Sequence, residues 1–283
     1  MKRAIARALT LCSVAAIGLA AVPAGAQTVG ITAAIRNDVE LKTNGASGPH
    51  KAVLKERVAL GNDLTTGPAS MAQLLLLDQT TFSVGANARM RIDRFVYDPD
   101  RGASAVSASV VTGAFRFMSG KALHANPGQS SIHTPVATIG IRGTMLDGII
   151  GEEAIRVARH EAGITVPPTT DPAKATLIVL RGPGRHAQGG ETPGAISVTV
   201  DGVSYTLDEP GMALFIPGPG QPPIGPFHLS DGAGRRVYRL LRGQPSYVPL
   251  SPWVADPGTS TQFECAGGRL VNGQLHGCLN SAP

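Results

Sequence analysis

Between Gly61 and Tyr97, short apolar runs alternate with glycine, asparagine and aspartate turns about every ten residues. Met71–Leu77, Thr81–Val84 and the series Met90, Ile92, Phe95, Tyr97 are each too short for a helix and have the composition of strands. Leu74–Leu77 is continuous enough to predict burial on both faces. A chain built this way closes its core by packing sheets rather than helices. The 35 glycines and 22 prolines fit many turns, and 4% aromatic content leaves the core to Val, Ile, Leu and Ala.

The pattern extends in both directions. Val29, Ile31, Ala33 and Ile35 alternate as a half-buried strand should, and Val53–Val58 forms a second strand candidate. Ala105–Val111 and Gly113–Phe117 read as separate strands. Residues 136–142 read as one buried strand opened by Pro135. Residues 151–161 fit a short helix or a strand, and so do Arg235–Leu241. Asp201-Gly202, between the alternating runs 196–200 and 203–207, predicts a tight hairpin. Met212–Ile216 is a further strand. Pro217, Pro219, Pro222, Pro223 and Pro226 then read as a linker to an irregular tail. The expected fold is all-β, with residues 27–217 as the sandwich and 218–283 as a Pro-rich linker and tail.

Residues 1–26 read as a secretory signal peptide. Lys2, Arg3 and Arg7 precede an apolar stretch, and Ala24-Gly25-Ala26 offers small residues before Gln27. The apolar stretch is short for a bilayer span of about 20 residues, and Leu11 stands where a lipidation site at Cys12 needs a small residue. No transmembrane segment is therefore expected after removal, and the expected location is periplasmic or secreted. Removal takes three basic residues from the 25 and leaves 22 against 20 acidic ones, a net charge of about +2. With no basic cluster interleaved with aromatics, nucleic acid is not an expected partner. Cys265 and Cys278 are then an even pair in an oxidising compartment and are expected to form a disulfide, worth about 3 kcal/mol in the chain-entropy model. Two cysteines and His276 make an incomplete zinc set. The remaining histidines lack metal-ligand spacing, so neither a metal nor a cofactor is expected.

Four elements in order carry a family resemblance. Gly61-Asn62-Asp63-Leu64-Thr65-Thr66-Gly67 is followed by Leu75–Leu77 with Asp78, then by Gly113-Ala114-Phe115-Arg116-Phe117. Thr134-Pro135 through Arg142-Gly143-Thr144 closes the series. On these motifs residues 58–146 resemble the FecR domain family, except that Gln79 replaces the usual glycine after Asp78. The resemblance implies an extracytoplasmic jelly-roll-like β-sandwich. The family includes the periplasmic sensor half of membrane anti-sigma regulators and many secreted proteins. This chain departs from the regulators, with no cytoplasmic segment for a sigma factor and no internal membrane helix, so transmembrane anti-sigma regulation is not expected.

Arg142-Gly143-Thr144 is the stretch with candidate chemistry. A threonine hydroxyl can attack the preceding carbonyl, and glycine permits the backbone geometry this needs. Self-cleavage at a Gly-Thr is a property of some siderophore-regulator relatives. The alternative is a buried turn in which Thr144 bonds the local backbone and Arg142 pairs with a carboxylate. Asp93, Asp98 and Asp100 beside Arg91, Arg94 and Arg101 read as an ion-paired edge, or as a site for calcium or sugar. The chain has no Gly-x-Ser-x-Gly elbow, and no nucleophile–base pair can be named. The functional expectation is a non-enzymatic module that recognises an envelope protein or polysaccharide. The alternatives are a structural or assembly factor for an exported complex, or a self-cleaving regulator. An exposed apolar patch favours a protein partner.

Overall fold

The computed structural model describes residues 27–125, 128–187 and 193–244, together with two short paired strands at Arg269–Val271 and Gln274–His276. Two sheets face each other. The first runs β4 (Arg57–Ala59), β1 (Thr28–Arg36), β6 (Met71–Leu76), β7 (Thr81–Val84), β9 (Ala103–Met118), β12 (Met145–Ile150), β13 (Thr176–Gly182), β16 (Met212–Ile216) and β17 (Ile224–His228). The second runs β3 (His50–Lys51), β2 (Val39–Lys42), β5 (Asp63–Thr66), β8 (Arg89–Asp98), β9, β10 (Ser130–His133), β11 (Thr138–Arg142), β14 (Ala195–Val200) and β15 (Val203–Leu207). All pairings are antiparallel except β9 with β10. The all-β expectation holds.

Strand β9 belongs to both sheets. Its first part pairs with β8 and β10, and from Gly113 onward it pairs with β7 and β12. The expected pair of strands at 105–111 and 113–117 is thus one strand of 16 residues that changes sheets without ending. Gly113 makes the change possible. Its φ is +83°, and a Cβ there would lie 2.3 Å from the Ala88 Cα. Such corners let one strand serve two sheets.

The space between the sheets is filled by the inward members of each alternating strand. They include Leu64, Leu74, Phe82, Met90, Phe115, Phe117, Ile139, Ile141, Ile178 and Val198. Phe82 and Phe117 meet edge-to-face with ring centroids 5.0 Å apart. A second, smaller core lies on the outer side of the first sheet. There Ala114, Ile149, Leu177, Val179, Ala213 and Phe215 pack against two helices. A single turn, α1 (Lys121–Ala125), lies between β9 and β10; α2 (Glu152–Ala158) and α3 (Asp231–Leu241) are the helices of this second core. Helix α3 begins at Ser230, whose hydroxyl accepts from the Ala233 N–H. Buried Glu161 anchors that cap by accepting from the Ser230 N–H at 2.8 Å and its hydroxyl at 2.6 Å.

Several local expectations are corrected. Residues 136–142 do not form a strand buried throughout. Strand β11 starts at Thr138 and alternates, with Ile139 and Ile141 inward and Thr138 and Arg142 exposed. Val53–Val58 is largely a turn that leaves Val53 and Leu54 in solvent. Thr32 pins it by donating its hydroxyl to the Val53 carbonyl, and Lys55 adopts φ +64°. Both ambiguous segments, 151–161 and 235–241, contain helices. The Pro-rich run past residue 217 does not leave the fold. Strand β17 pairs with β16, and α3 returns over the first sheet, so the packed structure continues to Gln244. Leu74–Leu77 is buried on one face only. The strands covered on both sides are β12, β13 and β16, because α2 and α3 lie over that part of the sheet.

Candidate functional site

The signature residues are dispersed through the fold and lock turns and corners. Gly61 (φ +77°) donates its N–H to the Ile92 carbonyl, and Gly67 donates to the Asp38 carbonyl. Asp63 accepts both Arg91 nitrogens at 2.8 to 3.0 Å. These bonds hold its carboxyl below the ordinary carboxylate range. Asp78 is buried and accepts from the Thr80 N–H, the Thr80 hydroxyl and the Ser104 hydroxyl, which ties the β6–β7 turn to β9. Gln79, where the FecR resemblance leads one to expect glycine, takes the left-handed conformation at φ +69°.

Arg142, Gly143 and Thr144 are not brought to a reactive centre. Gly143 has φ +53°. Thr144 is buried, and the hydroxyl that would attack the Gly143 carbonyl donates instead to the Pro183 carbonyl at 2.8 Å. Its backbone is clasped by Ser119, whose hydroxyl accepts from the Thr144 N–H and donates to its carbonyl. Arg142 is exposed and has no carboxylate partner among the described residues, contrary to the ion pair expected for a turn there. At the acidic edge, Arg91 pairs with Asp63, Asp93 accepts from Ser109, and Arg101 lies 3.6 Å from Asp98. Among the described residues no group of acidic, histidine or cysteine side chains is placed to hold a metal. Cys265, Cys278 and residues 1–26 lie outside the described residues. Among the described residues no helix is long and apolar enough to cross a membrane.

A cleft of about 780 Å³ opens beside Gly113, between Val111, Ile149, Gly151 and Leu240. The charged side chains that line it, Glu152, Glu153 and Arg156, are paired with one another.

A different surface has the character of a docking site. Register places the outward residues of the first sheet in rows. One row is Gln73, Ser83, Arg116, Asp147 and Val179. The next is Leu75, Thr81, Met118 and Met145, and Leu77 follows β6 outward. Asp147 sits at the centre, only 1% exposed, and binds Arg116 at 2.6 and 2.9 Å, with the Arg181 Nε at 3.4 Å. Hydrogen bonding to Asp147 raises the Arg116 pKa against its partial burial, so the guanidinium stays charged. On one side of this ionic row the sheet is capped by α2 and α3. On the other it is bare, with Leu75 39%, Leu77 54% and Met118 45% exposed. On the capped side of the row, α3 exposes Tyr238 at 48%, and its hydroxyl accepts from the Arg242 guanidinium beneath a cation–π contact. Arg36 donates to the Arg242 carbonyl. Among the described residues no carboxylate pairs with Arg36, Arg239 or Arg242. The result is an exposed apolar patch on one side of the ionic row, with Arg36 and Arg242 at the other end of β1 and β6.

The geometry defines a two-sheet β-sandwich whose signature residues build the scaffold and whose outer face is left open beside a helix. Residues 62–164 match the family model described as FecR protein, which agrees with the motif reading at residues 58–146. Among solved structures the chain is similar to two of a candidate anti-sigma factor from Parabacteroides distasonis. One, at 2.50 Å resolution, has 12% identity and a TM-score of 0.37; the other, at 1.65 Å, has 10% identity and a TM-score of 0.36. Each alignment covers 57% of this chain and 57% of the other. No curated protein matches the chain in sequence.

The sequence motifs missed the open face. A signal for it was available, since Leu75 and Leu77 alternate with Leu74 and Leu76 within one strand. Two leucines on each side of a strand leave a pair exposed unless another layer covers it. Asp147 and Arg181 gave no signal, because their meeting depends on pairing between β9, β12 and β13.

Proposed function

We propose that this protein is an extracytoplasmic, non-enzymatic recognition module that binds a protein partner of the cell envelope through the open part of its first sheet. The observation that carries this reading is the exposure of Leu75, Leu77 and Met118 on one face of the first sheet, Leu75 and Met118 lying in one row on either side of Thr81. Exposed apolar area of this kind is costly in water unless a partner covers it. The secretory character of residues 1–26 supports a periplasmic or secreted location, and the match at residues 62–164 supports a sensing or regulatory role. A flat apolar strip suits a protein surface better than a polysaccharide, which is held by polar groups and stacked rings.

The test compares the full mature chain with a Leu75→Asp, Met118→Asp variant. Both are used to capture partners from envelope extract and to probe a glycan array. The proposal expects the wild type to retain a defined envelope protein that the variant loses at unchanged thermal stability. Equal capture by both, or glycan binding insensitive to the substitutions, would overturn it.

A further inference from the structure

The edges of the two sheets are protected unequally. On the first sheet, edge strand β4 has three residues including Arg57, and β17 contains Pro226 and a register shift against β16. On the second sheet, β3 has only two residues, one of them Lys51. Short length, charge, proline and irregularity are the usual devices that keep an edge from pairing with another chain. The remaining edge, β15, has none of them. It reads Val203-Ser-Tyr-Thr-Leu207, carries no charge or proline, and keeps an unbroken register with β14 from Val200↔Val203 to Ile196↔Leu207.

Hairpin geometry fixes which of its backbone groups are free. The two-residue turn at Asp201-Gly202 makes Val200 and Val203 a hydrogen-bonded pair, so Val203, Tyr205 and Leu207 turn their N–H and C=O groups toward β14. The N–H and C=O groups of Ser204 and Thr206 therefore point away from the sheet. Among the described residues they meet no backbone partner. The side chains alternate the other way. Leu207 is in the core and Tyr205 packs against it, while Val203, on the same face, remains 55% exposed.

We infer that β15 is a self-association edge, and that it pairs with β15 of a second copy of this chain across a two-fold axis. The free groups dictate the register. Ser204 of each copy exchanges two hydrogen bonds with Thr206 of the other, which places the two Tyr205 residues opposite each other at the axis. In that register Val203 lies across from Leu207 of the other copy on the core-facing side, and the exposed valine is covered. Ser204 and Thr206 hydroxyls meet on the opposite side. No like charges are opposed within residues 203–207, and the arrangement is self-complementary as an isologous contact requires. The second sheets of the two copies become continuous. This contact uses neither Leu75, Leu77 nor Met118, so it stands or falls apart from the proposed partner site.

Sedimentation of the full mature chain over a wide concentration range tests the inference. The wild type is expected to show a reversible monomer–dimer equilibrium. A Ser204→Lys, Thr206→Lys variant places lysines opposite lysines while keeping the backbone hydrogen bonds to β14, at the loss of the exposed Thr199–Ser204 hydroxyl pair, and is expected to weaken the dimer at least tenfold. Mixing it with a Ser204→Glu, Thr206→Glu variant is expected to restore a mixed dimer, which a merely misfolded variant would not do. A wild type that stays monomeric at the highest concentrations would overturn the inference. So would a dimer indifferent to the lysines, or variants that remain separate when mixed.

Discussion

The outer face of the first sheet is built in two ways on the same strands. At one end Ala114, Ile149, Leu177 and Phe215 lie beneath α2 and α3. At the other, Leu75, Leu77 and Met118 lie beneath nothing in the described structure. Between them runs the Arg116–Asp147–Arg181 row, which ends the apolar layer with a buried charge and its partners. The capped end behaves as core, where side chains are held by packing from both directions. The bare end retains the side chains of a core without its second layer. Equal apolarity on one sheet thus serves stability in one place and is free for recognition in the other.

Substitutions should separate the two ends. The largest effect is expected from Phe215→Ala in the capped core, a loss of about 4 kcal/mol of unfolding free energy, read by denaturant titration. Asp147→Ala should cost about 3 kcal/mol, because it leaves Arg116 partly buried without its carboxylate. A Leu75→Ser, Leu77→Ser pair at the bare end should change stability by less than about 1 kcal/mol. A large loss there would mean that this end is covered core after all. The smallest effect should come from Asp63→Asn, since the pair with Arg91 lies near the surface and such pairs contribute about 0–1 kcal/mol. Its sign is set by pH. Asp63 titrates lower in the folded state than its ordinary value of 3.8, so its contribution is complete above that value and fades as the pH falls through the lower folded one. The substitution should therefore show its full, small loss of stability at neutral pH and least effect below the folded pKa, which slightly flattens the acid limb of the stability curve.

Much of the sandwich is legible in the amino-acid sequence. The alternating runs, the Asp201-Gly202 hairpin and the four spaced motifs describe local geometry, and local geometry is what turn residues and strand periodicity encode. The corner at Gly113 is not legible as a shared strand, because the inward positions change phase there, from Val106, Ala108 and Val110 to Phe115 and Phe117, and a phase change at a glycine reads as a break between two strands. The misread of Leu74–Leu77 has another origin. Apolar residues on both faces of a strand signal that both faces can be buried, but whether a helix arrives on the second face depends on where α3 docks. That in turn depends on distant contacts, such as Glu161 with Ser230 and the Leu240 carbonyl with the Ala86 N–H. The proline run conceals β17 for a related reason: as an edge strand it tolerates Pro226, whose missing N–H a central strand could not spare.

The bare end of the first sheet is proposed to meet a partner in the envelope. The most direct measurement introduces a photo-crosslinking residue singly at positions 75, 77 and 118 of the full chain in cells, with position 96 on the second sheet as an equally exposed control, and identifies the adducts by mass spectrometry. The account predicts one shared envelope protein captured from 75, 77 and 118 and not from 96. Adducts absent from all three positions, or distributed equally to the control, would contradict it.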